Sequence, residues 1–537
     1  MAILKNSMIV AVWTMFSRFL GFLRDLVIAN KLGAGLQSDA FFIAMQLPNL
    51  FRRLLGEGAL NIAFVPIYAR VQAEGEAAAA MFANVVFRWL FLILLALTVA
   101  GVVFMPALVS VSVPGWVNDP EKFDLTVLLG RITFPYVTLI CLSAFMGALC
   151  NVKGKFAAYA SVPALLNLAF LGMLLGIHPL GMDAAHAAAW AMPVGGVAQL
   201  LYMWWEMHKL GLRVSLGKPG HHPEVKTMLW RFAPAAVGVG VLQLSLLIDN
   251  IVASFTGQEA AVSYLTYANR FYQLPMALIG VAVATVLLPH LSVLLGKGDR
   301  KEASKSFMGA VQGCLALAGG ATVWLFLLAP EMIGSLLHHG EFSSWASEAT
   351  AWAMMGYVAG LPAYVLTKIT APAFFASEDP RTPVKASSLA LLVNFISNFV
   401  LAFGLIALGH RDVAHVGIAV STALGGYTNA FLQWRWLRRK GVLELKLSEL
   451  KAPLLKLLPA CAAMAVVLVA GKLLVPFNVE WSIPLRLVWL ATVGGLGALS
   501  FAAVVQWNGL MDVRQLLRDM RRRKPSAASV TFGSADS

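Results

Sequence analysis

Charged residues stand in segments of this chain that are otherwise too apolar to hold them. Arg18, Arg24 and Asp25 fall within residues 7–30. Asp39, Asn49, Arg52, Arg53 and Glu57 fall within 36–66, the last four inside the stretch LPNLFRRLLGEGAL. Asp249, Arg270 and Lys368 interrupt later apolar runs. Intramembrane charges of this kind usually face a bundle interior or a wet cavity. Arg18 and Asp25 are seven residues apart and share a helix face, with Arg24 about 100° round. Some of the charge can be neutralised locally, Arg24 by Asp25 and Arg53 by Glu57 at i, i+4. A surplus of guanidinium groups remains at Arg18, Arg24, Arg52 and Arg270. Their planar forks suit a phosphate or diphosphate, which accepts bidentate bonds. Gly56 and Gly58 would loosen the segment and let backbone approach a ligand. The chemistry is that of binding. There is no nucleophile–base set, no GxxxxGK[ST] and no HExxH. Cys141, Cys150, Cys314 and Cys461 make neither CxxC nor a zinc spacing. We therefore expect neither an enzyme nor a metal centre.

A second constellation offers only oxygen. Asp249 lies within residues 228–255; Asn394 and Asn398 stand at i, i+4 on one face, and Thr422 follows. Such a set suits a hard cation, and the expected occupant is a coupling ion, sodium or a proton. The bland alternative is that Asp249 hydrogen-bonds Asn250 or Asn394 for packing alone. No other cofactor is expected.

The elements that must position these groups are transmembrane helices. The chain has 537 residues, 59% hydrophobic and only 13% charged, against about 25% charged in soluble proteins. A span needs about 20 apolar residues. Fourteen candidates are legible, at 7–30, 36–66, 83–109, 124–150, 157–177, 184–208, 228–255, 261–293, 306–329, 348–376, 384–408, 414–437, 453–474 and 482–507. With the N-terminus in the cytoplasm, the inner connections and tail carry more than two dozen Lys and Arg. The outer ones hold Lys31, Lys122, Arg411, Lys472 and Arg486. The net charge of +14 is thus a topology signal, and nucleic acid is not an expected partner. Both ends are expected in the cytoplasm, and residues 509–537 read as a basic, disordered tail.

QLP occurs at 46–48 and again at 273–275, an offset of 227. Pro135 and Pro362 share that offset, as do Asn167 and Asn394. GGVAQLLYMWWEMHKLG from Gly195 matches GGYTNAFLQWRWLRRKG from Gly425 at an offset of 230. Several matches in one order indicate a duplicated six-helix unit. Each unit has an even number of spans, so the copies form a parallel repeat. The expected architecture is an all-α polytopic membrane protein. It has an N-lobe over 1–215, a C-lobe over 216–445 and two extra spans over 446–508.

At these residues the chain resembles a known family. SRFLGFLRDLVIANKLGAGLQSDAFFIAMQLPNLFRRLLGEGALNIAFVP resembles the N-terminal signature of the MurJ (MviN) family of lipid II flippases, within the multidrug/oligosaccharidyl-lipid/polysaccharide exporter superfamily. APAFFASEDPRTPVK resembles that family's span-10 to span-11 segment. The resemblance implies a two-lobed inner-membrane transporter that alternates between inward-open and outward-open states. It implies lipid II as cargo, undecaprenyl diphosphate bearing the disaccharide-pentapeptide. It carries substrate-binding roles to Arg18, Arg24, Asp39, Asn49, Arg52, Glu57 and Arg270, and a lipid-tail groove to the last two spans. Some members bind sodium between the spans that hold Asp249, Asn394, Asn398 and Thr422. Where some members have an acidic residue before the span-8 arginine, this chain has Asn269.

Three other readings compete. A membrane-bound enzyme acting on polyprenyl lipids has no intramembrane His or paired acidic motif to support it. A drug/cation antiporter of the same superfamily would favour a carboxylate-dominated cavity, which the arginine surplus opposes. A membrane scaffold recruiting cell-wall synthesis proteins through its basic connections leaves Arg18, Arg24 and Arg52 unexplained.

Overall fold

The computed structural model describes residues 2–54, 59–218, 220–446, 448–512 and 514–515. Glu57, with Gly56 and Gly58, and most of the basic tail lie outside the described residues. Every regular element among the described residues is helical. In order they are α1 (Ala2–Leu32), α2 (Leu36–Phe51), α3 (Ala59–Glu74), α4 (Glu76–Val103), α5 (Met105–Ser112), α6 (Pro120–Thr133), α7 (Tyr136–Val152), α8 (Phe156–Gly172), α9 (Ala184–Lys209) and α10 (Pro223–Phe255). There follow α11 (Ala261–Met276), α12 (Ala282–Gly296), α13 (Arg300–Leu327), α14 (Ala329–Leu336), α15 (Ser344–Ala359), α16 (Leu361–Ala376), α17 (Arg381–Ala407), α18 (Ala414–Arg439), α19 (Ser448–Leu474) and α20 (Ile483–Trp507).

Each expected span finds a helix or a broken pair, the pairs being α2/α3, α6/α7, α11/α12 and α15/α16. Eight stretches among the described residues are long and apolar enough to cross a bilayer unaided. The pair α15/α16, bent by 41°, makes a ninth if taken as one. α18 is not among them. α18 carries Ser421, Thr422, Thr428, Asn429 and Gln433 in its middle.

The breaks follow proline, and they follow the repeat. A proline removes one intrahelical hydrogen bond and its ring displaces the carbonyl four residues back. Pro48 does this to Ala44, whose carbonyl oxygen instead accepts from the Thr133 hydroxyl at 2.7 Å. Four residues after Pro48 the helix widens into a π turn at 52–54. The second QLP does the same, with a π turn at Ala277–Val281 after Pro275. Pro135 separates α6 from α7, and its repeat mate Pro362 opens α16 at the bend after α15. Asn167 and Asn394, the third matched pair, are both buried in mid-helix.

The chain forms two compact units. One comprises Met1–Ser263 with His339–Ser343, the other Tyr264–His338 with Ser344–Ser537. The sequence places the boundary between the lobes after residue 215 as an expectation; span 7 (α10) packs within the first unit. Glu224 is ion-paired to Arg70, Gln243 accepts from Arg53 at 2.8 Å, and Asn250 donates to Gln46. The connection before α10 is tied to α4: the Arg88 guanidinium donates to the carbonyls of Ser215 (3.0 Å) and Lys218 (3.1 Å), and Trp89 to that of Gly220. Inside this unit Phe64 packs against Phe82 and Phe145, at ring separations of 5.7 and 4.8 Å. The segment 339–343 is clasped to the end of α1. Glu341 donates its N–H to the Asn30 carbonyl at 3.0 Å. Gly33 and Gly340 both have positive φ, and a Cβ on either would lie 2.3 Å from a carbonyl oxygen, of Glu341 or of Asn30.

In the second unit, α19 and α20 bury Met464, Leu468, Trp489 and Phe501 against α13. Charged side chains pin one end of this pair. Lys472 meets Glu331 at 2.7 Å, and Arg486 donates to the carbonyls of Gly334 and His338, both at 3.0 Å. The Gly334 carbonyl belongs to the last turn of α14, and His338 follows just past its end.

Candidate functional site

In the first unit the expected residues form three groups. Arg24 is held in place on every side. Its Nε and Nη2 donate to Asp25 Oδ1 at 3.0 and 2.6 Å, and its Nη1 donates to Asn167 Oδ1 at 3.1 Å. Asn167 is itself anchored, donating to the Ser17 carbonyl at 3.0 Å. The Phe170 ring lies 5.3 Å from the guanidinium carbon. Arg24 therefore sits fixed and largely sheltered, its charge balanced by Asp25, as the local pairing anticipates. Arg18, one turn and a half earlier on α1, is exposed.

The second group lies at the π turn. Asn49 donates to the Met45 carbonyl at 2.9 Å, and its Oδ1 accepts from Arg52 Nε at 3.1 Å. The widened turn and the proline just before it set the direction of Arg52. Arg53 points to Gln243 of α10; the i, i+4 partner considered for it, Glu57, lies outside the described residues.

The third group takes Asp39 away from the arginines. Asp39 Oδ2 accepts from Lys122 Nζ at 2.8 Å, and Oδ1 accepts from the backbone N–H and the hydroxyl of Ser263, both at 2.6 Å. The Lys122 ammonium also donates to the Glu259 carbonyl at 2.6 Å and lies 4.2 Å from the Trp116 ring centroid. Both side chains are nearly sealed, Lys122 5% and Asp39 1% exposed.

In the second unit, Asn394 donates to the Thr422 hydroxyl at 3.4 Å and Asn398 to Asn394 Oδ1 at 3.5 Å. The structure thus gathers three of the four expected ion ligands on α17 and α18. Asp249, on α10, belongs to the first unit. Arg270 lies on α11, in the second unit and half-buried. Its neighbour Asn269 accepts from Gln273.

The segment APAFFASEDPRTPVK is a turn built for geometry. Glu378 adopts the left-handed conformation, with φ of 59°. Asp379 caps α17 through Thr382, accepting from its N–H at 3.2 Å and its hydroxyl at 2.6 Å, and pairs with Lys440 at the end of α18. The Lys440 ammonium, then the Thr382 hydroxyl, hold the Asp379 carboxyl down at about 2.

Comparison with known proteins decides the family. Residues 28–487 match the family described as lipid II flippase MurJ. A probable lipid II flippase MurJ of Rhizobium tropici is 34% identical, covering 98% of each chain. That of Rhizobium meliloti (strain 1021) is also 34% identical, covering 99% of each. This chain belongs to the MurJ family. A solved lipid II flippase MurJ, in an inward closed conformation, shares the fold with a TM-score of 0.77 at 23% identity, over 95% of this chain and all of that one. The fold also extends to an inward-facing multidrug transporter of the MATE family, with a TM-score of 0.65 at 14% identity over 79% of this chain and 94% of that one. The chain is therefore an all-α, multi-pass membrane protein of a transporter family.

Two partners escape a reading of the sequence. Lys122 counts there only as a topology marker, and Asn167 only as a repeat landmark. The signal for Lys122 is its place at the start of an apolar run, where a lysine needs an acidic partner to be buried.

Proposed function

We propose that this protein is a lipid II flippase of the bacterial inner membrane, with both termini in the cytoplasm. The observation that carries the reading is full-length similarity, at 34% identity, to curated relatives named for that activity. The geometry supports a binding role without covalent chemistry. Arg24 and Arg52 are pre-oriented by Asn167 and Asn49, so little side-chain freedom is lost when a diphosphate arrives. Arg18 and Arg270 complete the proposed guanidinium set, with Asn49 and Glu57 as its polar neighbours. Cargo contacts that are stronger in one state shift the balance toward it, which is how binding drives alternation.

We further propose a coupling cation, sodium or a proton, served by Asp249, Asn394, Asn398 and Thr422. The buried, oxygen-rich faces of Asn394 and Asn398 support it. The decisive experiment uses the purified protein in vesicles with fluorescent lipid II on one leaflet. Movement to the other leaflet faster than in protein-free vesicles is the expected result. Movement no faster than in empty vesicles would overturn the reading.

A further inference from the structure

The ion pair of Lys122 and Asp39 is saturated. An ammonium has three hydrogens, and here they meet a carboxylate, a backbone carbonyl and an aromatic face. Both oxygens of Asp39 are engaged as well, one by Lys122 and the other twice by Ser263. The node gathers three segments distant in sequence, the first turns of α2 and α6 and the start of α11. These are ends that the distribution of positive charge assigns to the outer side.

Stability alone does not explain why this contact is ionic. Taking two charges out of water is costly, and an apolar contact of the same shape is often as stable or more so. The two differ when the contact opens. Separated ions are rehydrated, whereas separated apolar faces remain exposed to water. A saturated ion pair therefore makes two arrangements comparably acceptable, closed by pairing and open by hydration. A contact that must open and close in every cycle needs that property.

We infer that Lys122 is a positioning residue for transport. It holds Asp39 and the start of α11 in a latch that seals the outer end and parts when cargo leaves. The inference rests on the flippase reading, which requires the outer end to open.

Its test reads opening separately from transport. Ala260, beside Glu259, is fully buried, and Ala260→Cys makes it a reporter for a membrane-impermeant maleimide added outside intact cells. The parent chain corrects for the four native cysteines. With Lys122 and Asp39 in place, the reporter is labelled. With Asp39→Leu and Lys122→Met together, labelling falls at least about tenfold as the closed population grows, at an unchanged amount of protein in the membrane. Asp39→Asn with Lys122→Gln keeps hydrogen bonding without charge and carries the test if the apolar pair does not accumulate; labelling again falls severalfold. Labelling at the parent rate in whichever neutral pair accumulates overturns the latch. If lipid II fails to move in vesicles yet labelling depends on the pair, the flippase reading fails and the latch stands. If lipid II moves and labelling ignores the pair, the reverse holds.

Discussion

Arg24 shows what a guanidinium does that an ammonium cannot. Three of its five N–H groups are committed in fixed directions, two to Asp25 and one to Asn167. The remaining two are thereby aimed rather than free to swing. A lysine supplies charge but no plane, and it cannot serve Asp25 and Asn167 while presenting a fork. Arg24→Lys should therefore lower the initial rate of lipid II movement as severely as Arg24→Ala, and Arg52→Lys and Arg270→Lys should do likewise. Asn167→Ala, which leaves the charge and removes the aim, should slow movement by about tenfold, equivalent to one good hydrogen bond. Full activity in the three lysine variants would rule out fork recognition. The types of these residues were legible because charge in an apolar run stands out. Their partners were not: 83 positions separate Asp39 from Lys122 and 143 separate Arg24 from Asn167, and no periodicity links residues so far apart.

Helix ends and breaks were better marked. The paired prolines, the two QLP motifs and the apolar runs all have local causes, and local causes can be read along a chain. What could not be read is where a turn meets another segment. The Gly33–Gly340 clasp is an example, since both positions look like ordinary turn glycines. Gly340→Ala should cost distinctly more than the roughly 1 kcal/mol of a positive-φ alanine, because its Cβ would strike the Asn30 carbonyl oxygen. Gly154→Ala, also at positive φ but with nothing within 4 Å of its Cβ, should cost only that smaller amount. Thermal unfolding of the two variants in detergent compares them directly, and equal losses would mean the clasp yields. The Asp379 turn gives a test in pH. Its carboxyl is lowered from 3.8 to about 2 in the folded chain. The stabilisation is therefore complete above about pH 4 and drains away as pH falls toward about 2. The difference in melting temperature between the parent and Asp379→Asn should be widest near neutrality, narrow below about pH 4 and close below about pH 2. A difference that does not change with pH would show that the ionised carboxylate contributes nothing.

At the scale of the molecule, the units differ in what they present. The first holds Arg18, Arg24 and Arg52; the second holds Asn394, Asn398 and Thr422. Asp249 shares its unit with the arginines. If it joins the oxygen-rich faces of α17 and α18 in binding a cation, an imposed sodium gradient should accelerate lipid II movement in vesicles, and Asp249→Asn should abolish the acceleration. Indifference to the gradient in the parent, with normal transport by Asp249→Asn at every pH, would favour membrane potential as the driving force. The last two helices lie outside the repeat and look dispensable by that measure. The way one end is secured predicts the opposite. Glu331 and the carbonyls of Gly334 and His338 have as partners two cations that are synthesised more than 130 residues later, Lys472 and Arg486. Glu331 and Gly334 are buried, so losing those cations would leave a buried carboxylate and a buried carbonyl without these partners. We expect the first twelve spans to lack these contacts until the final hairpin has left the ribosome. A chain stopped at residue 446 should be a substrate for membrane quality-control proteolysis, and pulse-chase decay should be faster than for the full chain. Supplying α19 and α20 as a separate polypeptide should slow that decay, and should do so less well when it carries Arg486→Ala.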